Sequence, residues 1–408
     1  MSKSPVERLM NVHPDLEVWW DSSPLVYDKW AQQMVDSAAP NKRATLAEQL
    51  QRLYNTQDPA QSLIRGCTTN PPLSLKAVKS DPKFWNEWID DLIHSNPGLD
   101  YKEITWLTYK EVVKRGAEMM MPIWQASQGR YGWISGQLDP RLFTEKDVMI
   151  AQAEELSALQ PNIMIKVPGS TEGIDVLRAL AAKGISTNTT TCFTLPQILA
   201  SARATQEGLQ LVQKGSYYTS EQVDLSKWRA VITMMVGRLT EHDALATQAR
   251  RRGIELTWQD KHWLGIAIFQ RAYRLLKEDG YPSKMLACSM RQGPLVAGKS
   301  KFWDVEKLAG DVVFTCPPYV LEPLFELGDD LDFEDIETVQ VPQRVLDKFM
   351  QIPYAIQAYD PNGMWLEQFN DHPATLDTVA NFSQAMTGLE EYVAHRLAAV
   401  RHREPVMA

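Results

Sequence analysis

Short runs rich in β-branched and other apolar residues alternate along the chain with longer stretches whose apolar positions recur at helical spacing. This is the pattern of βα units built around a parallel sheet. The β-type runs are EVWWD ending at Asp21, LIRGCTTN at Asn70, YGWISGQ at Gln137, NIMIKV around Lys166, ISTNTTTCF around Asn188, AVITMMVGR to Arg238, KMLACSMR to Arg291 and DVVFTC to Cys316. Eight parallel strands close a barrel, so the pattern predicts an α/β fold of the (β/α)8 TIM-barrel type.

The stretches between the runs carry helix start and stop signals. After IMIKVP, Ser170 can cap the helix TEGIDVLRALAAKG; Glu172 lies in its positive first turn, Ile174, Leu177 and Ala181 share a face, and Gly184 can end it. Between Asn70 and Tyr131 the chain is longer than one crossover needs, and FWNEWIDDLIHS and KEVVKRGAEMMMPIWQAS predict a helical insertion after the second strand. Helical additions follow the eighth strand, and HRLAAVRHREPVMA reads as a helix fraying into a tail. Residues 328–337, GDDLDFEDIE, lack the glycine-spaced loop of a calcium hand and read as a solvated connection. Arg250 to Arg252 before Gly253 suit a helix C-terminus, where cations complement the dipole. The expectation is one domain over residues 1–408.

Composition narrows the partners. A formal charge of -9 would repel a phosphate backbone or an anionic bilayer, which argues against nucleic acid and membrane. No apolar run reaches the roughly 20 residues of a membrane span, and MSKSPVERLMNVHPDLE has no apolar leader core, so the expected location is the cytoplasm. Cys67, Cys192, Cys288 and Cys316 are scattered and read as reduced, half-buried thiols. The histidines form no HxH or HExxH spacing, so no metal is expected.

In such a barrel the working side chains stand at the C-terminal ends of the strands. Lys166 lies among Ile163, Met164, Ile165 and Val167, and must point into the barrel mouth or out between helices. An inward lysine loses hydration, its pKa falls, and the neutral amine that results can attack a carbonyl to form a Schiff base. Asp21 ends the first strand beside Ser22, Ser23 and Pro24, where capping the following helix is the competing role. Thr68 to Pro72 can form a turn and helix start, and Thr187 to Thr191 can be simple strand formers.

In their joint order these segments resemble the transaldolase family. VWWDSSP resembles the first-strand segment that ends in the catalytic aspartate, GCTTNPPL is similar to the TTNPSL motif, and NIMIKVPGSTEGI to the segment holding the Schiff-base lysine. GISTNTTTCFTLPQ resembles the fifth-strand Asn-x-Thr motif, MMVGR the sixth-strand FVGR or FVSR motif, and ACSMR the seventh-strand SFR motif. The WWD entry and the helical insertion resemble the longer bacterial and plant subclass.

The resemblance implies that Lys166 forms an imine with a ketose phosphate and that Asp21 moves the proton of the hydroxyl beside the breaking carbon–carbon bond. It implies that Asn70 and Asn188, with Thr68 in the TTNPP segment, bind the three-carbon dihydroxyacetone unit. Arg238, Ser289 and Arg291 would bind phosphate. Thr190 would hold a water together with the third-strand position, which is glutamate in typical transaldolases and Gln137 here. A glutamine can orient water but cannot accept a proton. Fructose-6-phosphate aldolases of the same superfamily carry glutamine there, paired with a sixth-strand tyrosine; here Met235 takes the aromatic's place.

The function implied is a transferase of the class I aldolase type, moving a dihydroxyacetone unit between sugar phosphates as in the pentose phosphate pathway, with no cofactor and no metal. Two other readings stay open: a specialised aldolase of secondary metabolism handling free dihydroxyacetone or a related ketone, and a catalytically silent binding relative. The expected partners are small sugar phosphates, and a homodimer is one assembly open to such a chain.

Overall fold

The computed structural model describes residues 3–213 and 223–403. Eight strands form the barrel: β1 Glu17–Trp20, β2 Ile64–Thr68, β3 Trp133–Gln137, β4 Ile163–Pro168, β5 Thr187–Cys192, β6 Ala230–Met235, β7 Ser283–Cys288 and β8 Val313–Cys316. They close in the order β1-β8-β7-β6-β5-β4-β3-β2, and every pair is parallel. Each expected run overlies its strand, with β4 reaching one residue beyond its run to Pro168 and β7 starting one residue before its run at Ser283. The sixth stops early, because Val236–Thr240 turns into a short helix and carries Arg238 off the strand. An additional two-residue hairpin, Leu295–Val296 against Lys299–Ser300, lies between β7 and β8.

Local signals act as expected. Ser170 Oγ accepts from Gly173 N at 2.9 Å, and Ile174, Leu177 and Ala181 are buried on one side of helix Thr171–Ala182. The insertion after β2 forms helices Pro71–Ser80, Pro82–Ser95 and Tyr101–Ala126. Ile89, Ile93 and Ile104 of the insertion pack with Val393, Leu397 and Val400 of the last helix, Pro373–Arg403, in a small core of their own. This contact anchors the far end of that helix and brings its start over the barrel mouth. The final five residues of the sequence lie outside the described ones.

Two expectations need correction. All four cysteines are buried rather than half-buried, since each sits on or inside a barrel strand. The acidic stretch 328–337 is pinned rather than simply solvated: Leu331 and Ile336 are buried, Asp332 N donates to Glu306 Oε1 at 2.9 Å, and Ile336 N donates to Ala309 O at 2.6 Å. Arg250 and Arg251 do occupy the last turn of helix Asp243–Arg251. Among the described residues no helix is long and apolar enough to cross a membrane.

Candidate active site

Strand register assembles the centre of the mouth. Gln137 pairs with Lys166, and Lys166 with Asn188, so three side chains from β3, β4 and β5 stand at one level. Lys166 points inward and is 5% exposed; its Nζ donates to Thr69 O at 3.2 Å. Burial pulls its ammonium below the ordinary lysine range, and the nearby Asp21 carboxylate opposes this only in part. The amine is therefore easier to deprotonate than a surface lysine.

Asp21 follows β1 directly and does not cap the next helix, a role taken by Ser23. Its Oδ1 accepts from Thr68 Oγ1 at 2.7 Å, and Thr68 in turn shares a short hydrogen bond with Thr315. Burial raises the Asp21 carboxyl above the usual carboxylate range, against the attraction of Lys166, the hydrogen bond from Thr68 and the charge of Arg238. Lysine and aspartate are thus shifted toward each other, which makes proton exchange between this pair and a ligand easier.

Asn188 is held by two hydroxyls: its Nδ2 donates to Ser135 Oγ at 2.9 Å and its Oδ1 accepts from Thr233 Oγ1 at 2.6 Å. Asn70 caps helix Pro71–Ser80 through Oδ1, which accepts from Leu73 N at 2.9 Å. The capping role and the site position coincide, and the donor end of the amide is left for a ligand. Gln137 Oε1 and Thr190 Oγ1 are buried and have no hydrogen-bond partner. Beside Thr190 the register shifts between Thr189 and Cys192, and Thr191 adopts φ 51°, a local bulge of the kind that re-aims a side chain. Unpartnered polar atoms in so buried a place fit a bound water or hydroxyl.

The arginines stand to one side, around a cavity of about 390 Å³ whose lining includes Arg238, Glu241, Ser289, Arg291, Tyr319 and Asp377. Arg238 Nη2 donates to Asn381 Oδ1 at 3.0 Å, and its guanidinium lies 5.5 Å from the centre of the Phe382 ring. Arg291 donates through Nε to Glu241 Oε2 at 2.7 Å and through Nη1 to Ser289 O at 2.7 Å. Gly237 permits this approach, since a Cβ there would stand 2.2 Å from Ser289 O and 2.9 Å from Arg291 Cζ.

The structure therefore gathers Lys166, Asp21, Thr68, Gln137, Asn188 and Thr190 in the barrel interior, with Asn70 at its rim and Arg238, Ser289 and Arg291 beside it. Sequence reading missed Thr315, Ser135, Thr233 and Asn381, which orient the named residues. The strand period of two could have found Ser135, two residues before Gln137; nothing local marks Asn381. Among the described residues one cluster, His13, Asp15 and Asp311, brings metal-type ligand atoms within 4.8 Å of one another. It lies before β1 and β8, at the opposite end of the barrel, and Arg130 and Lys284 already neutralise its carboxylates at 2.6 and 2.7 Å.

A family model described as Transaldolase/Fructose-6-phosphate aldolase matches residues 49–391. The chain belongs to this family. Proteins named transaldolase are similar to it: one from Thermobifida fusca is 30% identical over 187 residues, covering 45% of this chain and 48% of that protein. One from Mycobacterium marinum is 31% identical over 197 residues, 48% of this chain and 49% of the relative. Over 296 residues, 68% of this chain and 74% of the relative, identity to the Mycobacterium tuberculosis protein is 30%. The chain thus spans about half the length of the first two relatives. The matched region runs from before β2 to the last helix, so this transaldolase-family barrel carries the strands of the site from β2 to β8 inside the match.

Proposed function

We propose that the protein is a Schiff-base transaldolase-type enzyme that transfers a dihydroxyacetone unit from a ketose phosphate to an aldose phosphate. The observation that carries the reading is the buried, inward Lys166, with its basicity lowered, beside the half-buried Asp21, whose carboxyl desolvation has raised. Family membership supports the same chemistry.

The neutral Lys166 amine adds to the keto carbon, and the carbinolamine loses water to give an iminium. Asp21 takes the proton from the hydroxyl two carbons from the iminium carbon, the bond joining that hydroxyl-bearing carbon to the carbon next to the iminium breaks, and its electron pair flows into the iminium. An aldose phosphate leaves and a three-carbon enamine stays on Lys166. An acceptor aldehyde takes the reverse path: the enamine carbon attacks, Asp21 returns its proton to the new alkoxide, and water releases the product. One carboxylate serves both directions, which suits a group that desolvation has raised above the usual carboxylate range.

Asn188, fixed by Ser135 and Thr233, and the free donor end of Asn70 are suited to hydroxyls of the three-carbon unit. The unpartnered Gln137 Oε1 and Thr190 Oγ1 are suited to the water that enters and leaves during imine exchange. Arg238 and Arg291 with Ser289 supply fixed positive charge for a phosphate. No step calls for a cofactor or metal. A single-domain enzyme of the cytoplasm, acting on small sugar phosphates and assembling as a homodimer, is the setting we propose.

Because Gln137 cannot act as a base, water handling falls to Asp21, and this favours a second reading, a specialised aldolase that accepts free dihydroxyacetone. Mixing fructose 6-phosphate with erythrose 4-phosphate separates the two. Transfer yields a seven-carbon ketose phosphate without free dihydroxyacetone; release of dihydroxyacetone favours the aldolase, and neither product would refute both.

A further inference from the structure

Behind the arginine cavity lies a pair of groups that the chemistry above does not use. His262 and Asp304, 42 residues apart in sequence, are each only 2% exposed in their side chains, and His262 Nδ1 lies 2.6 Å from Asp304 Oδ1. A carboxylate can only accept here, so Nδ1 carries the proton. The other oxygen, Asp304 Oδ2, accepts from the backbone N of Arg291 at 2.8 Å. One buried carboxylate therefore bridges an imidazole and the turn that holds Ser289 and Arg291.

That turn needs holding. Ser289 adopts φ 57°, a left-handed conformation unfavourable for a residue with a side chain, and Arg291 folds back so that Nη1 reaches Ser289 O and Ser289 Oγ at 2.7 and 3.2 Å. The chain after it doubles back: Gly293 N donates to Lys301 O at 2.7 Å and Trp303 N to Gly293 O at 2.9 Å, which brings Asp304 under Arg291. Gly293 has φ 131°, and a Cβ there would stand 2.5 Å from Trp258 Nε1 and 3.0 Å from His262 Nε2. His262 Nε2 has no hydrogen-bond partner and its ring meets Trp258 edge to face at 5.0 Å. The imidazole is wedged by packing and tied through one nitrogen only. Its evident action is on Asp304.

We infer that Asp304, oriented by His262, is a positioning residue that sets the Ser289–Arg291 turn in the geometry that grips a phosphate monoester. This rests on the phosphate part of the proposed function and is independent of the imine. A buried carboxylate accepting a backbone N–H at a strained turn keeps the arginine fork in place before the ligand arrives, so less ordering is left to be done on binding.

The test uses the full chain and the variants Asp304→Ala, Asp304→Asn and His262→Phe. Inorganic phosphate binding is measured by calorimetry, and dihydroxyacetone trapping on Lys166 by borohydride. Asp304→Ala should weaken phosphate binding at least about tenfold and His262→Phe several-fold. Asp304→Asn retains an acceptor for Arg291 N and should stay within about threefold of wild type. Trapping of unphosphorylated dihydroxyacetone should be unchanged in all three. Unchanged phosphate affinity in Asp304→Ala overturns the inference; if that variant does not fold, unchanged affinity in His262→Phe does so. Parallel loss of trapping also overturns it, by showing a general structural role. A wild type that traps dihydroxyacetone but binds no phosphate removes this inference and leaves the imine reading standing. A wild type that binds phosphate but traps nothing does the reverse, and the variants' phosphate affinities still decide the role of Asp304.

Discussion

The two sides of the barrel mouth are built by different means. On the lysine side, Lys166, Asp21, Asn188 and Gln137 lie on strands or immediately after them, and hydroxyls of other strands, Thr68, Ser135 and Thr233, orient Asp21 and Asn188. On the arginine side, Arg238 sits in the short helix after β6 and Arg291 on the turn after β7; both are partly exposed and lean on Asn381 and Glu241 from other elements. In the proposed mechanism the first side uses burial to move protons: it lowers the pKa of Lys166 and raises that of Asp21. The second needs charges that persist, and a guanidinium stays charged even where burial pulls it down, as at Arg238. On the function proposed above, proton chemistry would fall to the strand ends around the buried Lys166, and anion binding to the half-exposed arginines beside them.

Substitutions on the lysine side should abolish chemistry with little regard to substrate charge. Lys166→Met should lower transfer by roughly 10⁴-fold or more, since among the described residues no other lysine is buried in the barrel to form the imine. Residual turnover within tenfold of wild type would remove Lys166 from the mechanism. Asp21→Asn should cost about 10³-fold in turnover while imine formation persists. It should also move the pH dependence of imine formation. The active form of Lys166 is the neutral amine, whose fraction grows as pH rises through the lysine pKa. The Asp21 charge holds that pKa up, so its removal shifts the rise in trapping rate to lower pH. A shift to higher pH would show that the two groups do not interact as described.

The arginine side should behave otherwise. Arg238→Ala or Arg291→Ala should weaken phosphorylated substrates by at least about tenfold relative to unphosphorylated counterparts, each losing charge-assisted contacts of roughly 1.5–3 kcal/mol. Equal losses for both would make these arginines structural and erase the contrast. The smallest effect is expected at Gln137. Gln137→Glu should lower transfer several-fold, about threefold or more, because an added carboxylate raises the pKa of Asp21 and favours protonated Lys166. A several-fold gain, measured with the same donor and acceptor, would mark an ordinary transaldolase with a weakened water relay.

The contrast also explains what could be read in advance. Short apolar, β-branched runs set between helical stretches announce strands, so the eight runs, the place of Lys166 in IMIKVP and the cap at Ser170 are legible in the sequence. The short helix after β6 is not. An extended reading through Arg238 misses that Gly237 N donates to Ser289 O at 3.0 Å, a contact with the turn after β7 that no local pattern encodes. Thr315 looks like any strand former until Thr68 is placed against it. Asn381 meets Arg238 across 143 residues, and His262 meets Asp304 without any histidine spacing to reveal it. What the chain holds within one strand is visible in sequence; what two distant turns make together is not.

The central claim is that Lys166 is the nucleophile. It is tested most directly by treating the protein with dihydroxyacetone or fructose 6-phosphate and borohydride, then mapping the reduced adduct by mass spectrometry of the digested chain. The account predicts a three-carbon adduct on Lys166 and none in Lys166→Met. Equal labelling of other lysines, or trapping that survives in Lys166→Met, would contradict it.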